Sequence, residues 1–284
     1  MDTPSFPAFA PANKDLKRLC IHTITTKPWD IHTAIAKFHA AGIGGVSVWR
    51  DAIEGKDLES VRKEMASAGL TPVSLVRGGF YTGVDAATRQ AAVDENKRAI
   101  DECAGIGAPM VVLVCGATPE QTVHEDLKQI QSGIEATLDH AEACRVKLAI
   151  EPLHPMYADT RSAVTTMKTA NDLCDAIASP HVGVAVDVFH VWWDPELGAE
   201  VARCGRAGNI LAFHICDWKP NMEDMLNDRG LMGEGVIHIK MIRDMVEAAG
   251  FTGLHEVEIF SNRWWAQDQD HFLSEILRAY DQHG

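Results

Sequence analysis

Four side chains of the kind that bind divalent cations close four apolar runs in the second half of the chain. Glu151 ends VKLAIE, Asp187 ends VGVAVD, His214 ends ILAFH and Glu258 lies in LHEVE. Carboxylate oxygens with one imidazole nitrogen form a mixed set suited to Mn2+, Mg2+, Co2+ or Zn2+. Each residue alone has a plainer reading. An acidic residue after a strand commonly caps the next helix, and a lone histidine in an apolar run is commonly a core residue. Four such residues in succession make a poor coincidence, and one shared metal centre is expected.

Further residues fall near these four. His190 follows Asp187 by three positions in DVFH; it is placed to reach a substrate hydroxyl or to cap the next helix. Arg229 lies in DRGLMGEG, a glycine-rich segment that fits a tight path at a rim. It suits the clamping of a carbonyl, hydroxyl or phosphate oxygen, with a surface ion pair as the alternative. His154 in EPLHP comes soon after Glu151 and is a candidate for lining the pocket. Glu256 precedes Glu258 by two positions, so on a strand it shares that residue's face, roughly 6.6–6.8 Å deeper. A supporting part is expected for it: accepting a hydrogen bond from a buried His or Lys beneath the metal, or being protonated itself. The pairs Trp192–Trp193 and Trp264–Trp265 read either as a wall for a ring-shaped ligand or as loop anchors.

Such a constellation needs elements that bring distant segments to one rim. Short β-rich runs are predicted at Leu19–Thr25, Gly45–Trp49, Pro72–Val76, Met110–Cys115, Val146–Glu151, Val182–Val188, Ile210–Cys216 and Gly253–Ile259. Between them lie stretches with apolar residues three and four apart, such as Ile31–Ala41, Leu58–Ala68, Ala86–Ile106, Val123–Cys144, Thr166–Ile177 and Ile239–Ala249. Several of these close on glycines, as in AAGIGG and EAAGFTG. Eight strand–helix units imply parallel strands joined by crossovers, hence an α/β protein with a (β/α)8 barrel. An open doubly wound sheet is disfavoured because no glycine-rich phosphate loop follows the first strand. Barrel chemistry belongs at the C-terminal strand ends, where the four candidates stand. One barrel domain is expected over 19–284, after an irregular lead-in over 1–18.

Composition narrows the partners. The 284 residues include 46% hydrophobic and 23% charged residues, as in a globular domain, and carry a net charge of -14. A surface this acidic repels phosphate backbones, so nucleic acid is not an expected partner. No run is long enough for a membrane span, and no signal peptide is evident at the N-terminus. The seven cysteines are unclustered and read as reduced thiols. A cytoplasmic protein is expected.

The segments LAIEPLHP, VGVAVDVFH, AFHICD, DRGLMGEGVI and EVEIF resemble those of the xylose isomerase-like TIM-barrel superfamily of sugar isomerases and epimerases, over nearly the whole chain from Leu19 onward. The pattern is most similar to the inosose isomerase-like and ketose 3-epimerase-like members. The resemblance implies a divalent metal, Mn2+ first, on Glu151, Asp187, His214 and Glu258, with Glu151 and Glu258 also serving as the acid/base pair. It implies a polyhydroxy ketone as substrate and a dimer or tetramer as the assembly. Ketose 3-epimerases carry Asn-Arg where this chain has His154–Pro155, and an Arg where it has Pro220. Both departures lead away from a ketohexose 3-epimerase.

The chemistry so implied is metal-assisted proton transfer beside a ketone, through an enediolate, on a keto-sugar or keto-cyclitol. One glutamate removes the α-proton and the other returns it, in an order the sequence leaves open. Loss of a β-hydroxyl from the same site would make the enzyme a lyase or dehydratase. A non-catalytic sugar-binding barrel is the reading from another class.

Overall fold

A computed structural model describes residues 15–284. The lead-in expected over 1–18 therefore lies mostly outside the described residues, and its last three, Leu16–Arg18, form one 3-10 turn. The strands are β1 (Leu19–His22), β2 (Gly45–Trp49), β3 (Thr71–Gly79), β4 (Met110–Val114), β5 (Lys147–Ile150), β6 (Val182–Asp187), β7 (Ile210–Ile215) and β8 (His255–Val257). All pair in parallel with their sequence neighbours, and β8 pairs with β1 through Leu19–His255 and Ile21–Val257. The sheet closes on itself. That closure excludes the open doubly wound alternative and gives a (β/α)8 barrel.

The outer layer comprises α1 (Ile31–Ala40), α2 (Leu58–Ser67), α3 (Ala86–Gly105), α4 (Val123–Cys144), α5 (Met167–Ile177), the one-turn α6 (Val188–Val191), α7 (Leu197–Arg206), α8 (Ile239–Ala248), the one-turn α9 (Asn262–Trp265) and α10 (Gln269–His283). Of these, α6, α7, α9 and α10 lie outside the stretches whose spacing predicts a helix. Side-chain caps start most of the long helices. Asp30, Asp57, Asp85, Thr122, Thr166 and Asp268 each accept a hydrogen bond from a backbone N–H of the first turn. The main core lies between barrel and helices, where Phe38, Met65, Phe189, Phe213 and Phe272 are wholly or almost wholly buried. None of the described helices is long and apolar enough to cross a membrane.

Inside the barrel, alternation along each strand builds layers. One layer is apolar and small, formed by Cys20, Val73, Val112, Ala149, Ala185 and Ala212. Toward the C-terminal ends the polar residues His22, Ser47, Asp187, His214 and Glu256 follow, all fully buried. Their burial is costly unless each finds a partner or a cation. At the same rim β3 and β4 approach closely. Gly79 has φ 105° there, and a Cβ on it would meet Val114 O at 1.9 Å, so only glycine fits.

The strand ends differ from expectation at two places that bear on the site. β5 stops at Ile150, leaving Glu151 just past it, and β8 covers only His255–Val257. Glu258 still continues the ladder, donating its N–H to Ile215 O at 3.2 Å.

Candidate metal centre

Each ligand candidate is delivered by a different strand end, and the four side chains converge. One ligand atom from each of Glu151, Asp187, His214 and Glu258 lies within 4.8 Å of all the others, and all four residues are buried. Asp187 is both a cap and a candidate ligand. Its Oδ1 accepts from Phe189 N at 2.8 Å, starting α6, which leaves Oδ2 turned to the centre. His214 presents Nδ1 to Glu151 Oε1 at 3.0 Å and to Glu258 Oε2 at 4.0 Å.

Glu256 stands below them. Sequence reasoning put Glu258 level with the other three and Glu256 one step deeper. The backbone register instead pairs Glu256 directly with His214, which pairs with Asp187. The stagger of barrel strands lifts Glu258 one step higher, and its long side chain reaches back to the cluster. Glu256 Oε2 accepts from Ser47 Oγ at 2.6 Å and from Ser74 Oγ at 3.3 Å, and meets His22 Nε2 at 3.2 Å. His214 Nε2 lies 3.7 Å from the same oxygen. His22 thus bridges the two glutamates, since its Nδ1 is 3.1 Å from Glu258 Oε1.

Arg229 is not a surface residue, being 4% exposed. Its guanidinium donates to Asp187 Oδ2 and Glu258 Oε2, both at 2.9 Å, and packs over the Phe189 ring at 4.4 Å. Its Nη2 lies 3.1 Å from His190 Nε2, while His154 N donates to His190 Nδ1 at 3.2 Å. With an N–H donor facing each nitrogen, the ring has no place for a second proton. Burial, with the nearby Arg229 charge, pushes the His190 pKa well below its usual value. His154 itself is wedged half-buried between Trp193 and Trp218, at centroid distances of 5.8 and 4.7 Å, and does not reach the four ligand candidates. Of the tryptophan pairs, Trp264 stacks on Phe272 and Trp265 donates to Ile24 O, as loop anchors do.

The charge balance favours a cation. Burial opposes ionisation of Glu258, but His22 and Arg229 outweigh it and hold the carboxyl well below its usual range. Glu256 is likewise held low against burial, by His214 and His22. Burial also opposes protonation of His214, yet Glu256, Glu151 and Glu258 raise its pKa to about 10. Burial raises Asp187 to about 7, with Arg229 opposing. The raised His214 and Asp187 values mark an excess of buried negative charge at the centre, which a cation would offset.

The residues fit a metal on a second count. His214 Nε2 is buried without a hydrogen bond, and Glu151 Oε1 and His214 Nδ1, though 3.0 Å apart, are not aligned for one. In a closed interior such atoms cost roughly 1–3 kcal/mol each unless something engages them. A divalent cation between them would do so.

Above the cluster lies a narrow cleft of about 20 Å3, lined by Trp49, Tyr157, Arg161, His190, Arg229 and Phe260 among others. A much larger cavity, about 1010 Å3, lies against α8 and the C-terminal residues and contains none of the four ligand candidates. Tyr157 closes the cleft from above, its hydroxyl donating to Met225 O in the β7–α8 segment. Two further ligand-type groups occur among the described residues: His22, His214 and Glu256 beneath the centre, and Asp101, His140 and Cys144, which join α3 to α4 on the outer surface. Sequence reasoning missed His22, Ser47, Ser74, Trp49, Tyr157, Arg161 and Phe260. Only His22 left a signal, as a histidine at the end of LCIH.

The model of the xylose isomerase-like TIM barrel matches residues 35–276. The chain belongs to that family. Within it, the chain is similar to the inosose isomerase of Bacillus velezensis, at 24% identity over 202 residues, 69% of each protein. It is 22% identical to the inosose isomerase of Halalkalibacterium halodurans over 214 residues, 73% of each. A crystal structure of a protein from Sinorhizobium meliloti 1021 superposes with a TM-score of 0.90 at 42% identity, covering 93% of this chain and 98% of that one. The zinc-bound structure of an IOLI protein gives a TM-score of 0.81 at 19% identity, covering 92% and 96%, which shows the shared barrel.

Proposed function

We propose that this xylose isomerase-like barrel is a divalent-metal-dependent isomerase or epimerase of a keto-sugar or keto-cyclitol. The convergence of Glu151, Asp187, His214 and Glu258, with unsatisfied buried atoms on Glu151 and His214, carries the reading. Inosose isomerases among the relatives support the substrate class. Bound by those four side chains, a divalent cation supplies Lewis-acid stabilisation of charge developing on the ketone oxygen.

The chain's own residues divide the remaining work. Both oxygens of Glu258 are engaged, by His22 and Arg229. Glu151 Oε1 meets only His214 Nδ1, at 3.0 Å, so Glu151 is the freer carboxylate to take the α-proton. Glu258, across the centre, is placed to return it to the opposite face or to the neighbouring carbon. Arg229, whose Nε makes no hydrogen bond, offers an N–H to a substrate hydroxyl, and His190 steadies its guanidinium. Trp49, Tyr157 and Phe260 exclude water around them.

The test is solvent exchange. Protein loaded with Mn2+ for turnover, or with diamagnetic Mg2+ for direct NMR, is incubated with inososes and ketoses in D2O. Deuterium entering beside the carbonyl is the expected result. Metal bound in full stoichiometry with no exchange across the panel would overturn the reading.

A further inference from the structure

We infer that the substrate carries an anionic group, a carboxylate or phosphate, and that Arg77 and Arg161 bind it at the mouth of the cleft. The inference rests on the keto-polyol reading and extends it to an acidic substrate.

Arg161 lines the same cleft as Glu151, Arg229 and Glu258. Arg77 follows Val76, another lining residue, on β3. Both guanidinium groups rest on aromatic rings rather than on carboxylates: Arg161 5.8 Å from the Tyr157 centroid and Arg77 4.3 Å from that of Phe80. Those two rings belong to one apolar patch with Val114 and Leu153, and these last two also line the cleft. The two cations therefore rest on one apolar patch, Arg161 lining the cleft and Arg77 on Phe80 beside it.

Neither makes an ion pair or a side-chain hydrogen bond among the described residues. In a chain with 40 acidic and 26 basic residues, two half-buried arginines near one another without an acid between them are unexpected. Arg50 marks the contrast. It lies near Arg77, but Glu95 and Glu102 hold it at 2.7 and 2.6 Å. Burial, followed by the charges of Arg161 and Arg50, lowers the Arg77 pKa to about 10. A charge held at such a disadvantage is relieved by an anion from outside. Guanidinium forks bind carboxylates and phosphates in a bidentate manner. One end of the substrate would thus be fixed at the arginines while its keto end meets the four ligand candidates.

The experiment measures binding of matched probes to the full chain by calorimetry, with and without Mn2+. D-glucuronate is compared with D-glucose, and D-ribulose 5-phosphate with D-ribulose. At least one anion is expected to bind about tenfold or more tightly than its neutral partner, and which one does so tells carboxylate from phosphate. Arg77→Gln and Arg161→Gln should each remove most of that preference and leave Mn2+ affinity unchanged, while Arg77→Lys and Arg161→Lys retain part of it. Equal affinity for anion and neutral partner, no binding of either anion, or a preference that survives both glutamine substitutions would overturn the inference. Failure of the wild-type chain to bind Mn2+ would instead strike the metal reading, and the anion preference of the metal-free chain is then read on its own.

Discussion

The two halves of the barrel do different work with the same architecture. From β5 to β8 the strand ends carry Glu151, Asp187, His214 and Glu258, and the segment after β7 adds Arg229. From β1 to β4 the ends carry His22, Trp49, Val76 and Val114, which support or enclose. Ser47 and Ser74 hold Glu256 from that first half, and His22 reaches both glutamates of β8. Reactive groups are concentrated in one half, while the other sets their orientation and keeps water out. The closed barrel makes this division possible because β8 lies against β1, bringing residues more than two hundred positions apart into hydrogen-bonding contact.

The division predicts a ranking of effects. Glu258→Gln, in the reactive half, should cost at least about 10²-fold in deuterium exchange; near-normal exchange would remove Glu258 from the chemistry. His22→Ala or Glu256→Gln, beneath the centre, should weaken Mn2+ binding by about 10–100-fold, as loss of a partner that orients a ligand does. An effect on Mn2+ as large as that of losing a ligand outright would erase the distinction between the halves. Trp49→Ala, in the enclosing wall, should weaken ketose binding roughly twofold to twelvefold, from an aromatic contact of ~0.5–1.5 kcal/mol, and leave Mn2+ binding unchanged.

The gentlest expected effect is on stability against pH. The folded-state pKa of His214 is raised to about 10, and that of His22 is raised too, burial being outweighed by Glu258 and Glu256. A raised histidine contributes stability that is fully present below its unfolded value of about 6.5 and is lost as pH climbs through the folded one. Metal-free protein should therefore unfold more easily at pH 9.5 than at pH 6.5 in urea, and Mn2+ should restore it at high pH. A flat profile for the metal-free protein would contradict the proton-for-metal exchange at His214.

The barrel was legible because its strands and helices have different hydrophobic periods and alternate eight times. What blurred was local. β8 forms only three regular ladder residues, and Glu258 continues the pairing through a single hydrogen bond to Ile215. α7 offered a thin signal, with only Leu197, Val201 and Cys204 buried. The four ligand candidates were legible from strand-end position, and the structure brings all four together. Their support was not, because His22, Ser47 and Ser74 gain meaning only from Glu256, a residue 182 to 234 positions away. Arg229 left two readings open, and burial between Asp187 and Glu258 removes the surface one. His154 packs half-buried between Trp193 and Trp218, a contact that its place after Glu151 did not reveal.

Anomalous diffraction from a crystal soaked in Mn2+ tests the central claim most directly. The account predicts a peak bounded by Glu151, Asp187, His214 and Glu258 at roughly 2.0–2.5 Å from their ligand atoms, in the range of oxygen and nitrogen coordination. A fully soaked crystal with no peak there, or with one only beside Asp101, His140 and Cys144, would contradict it.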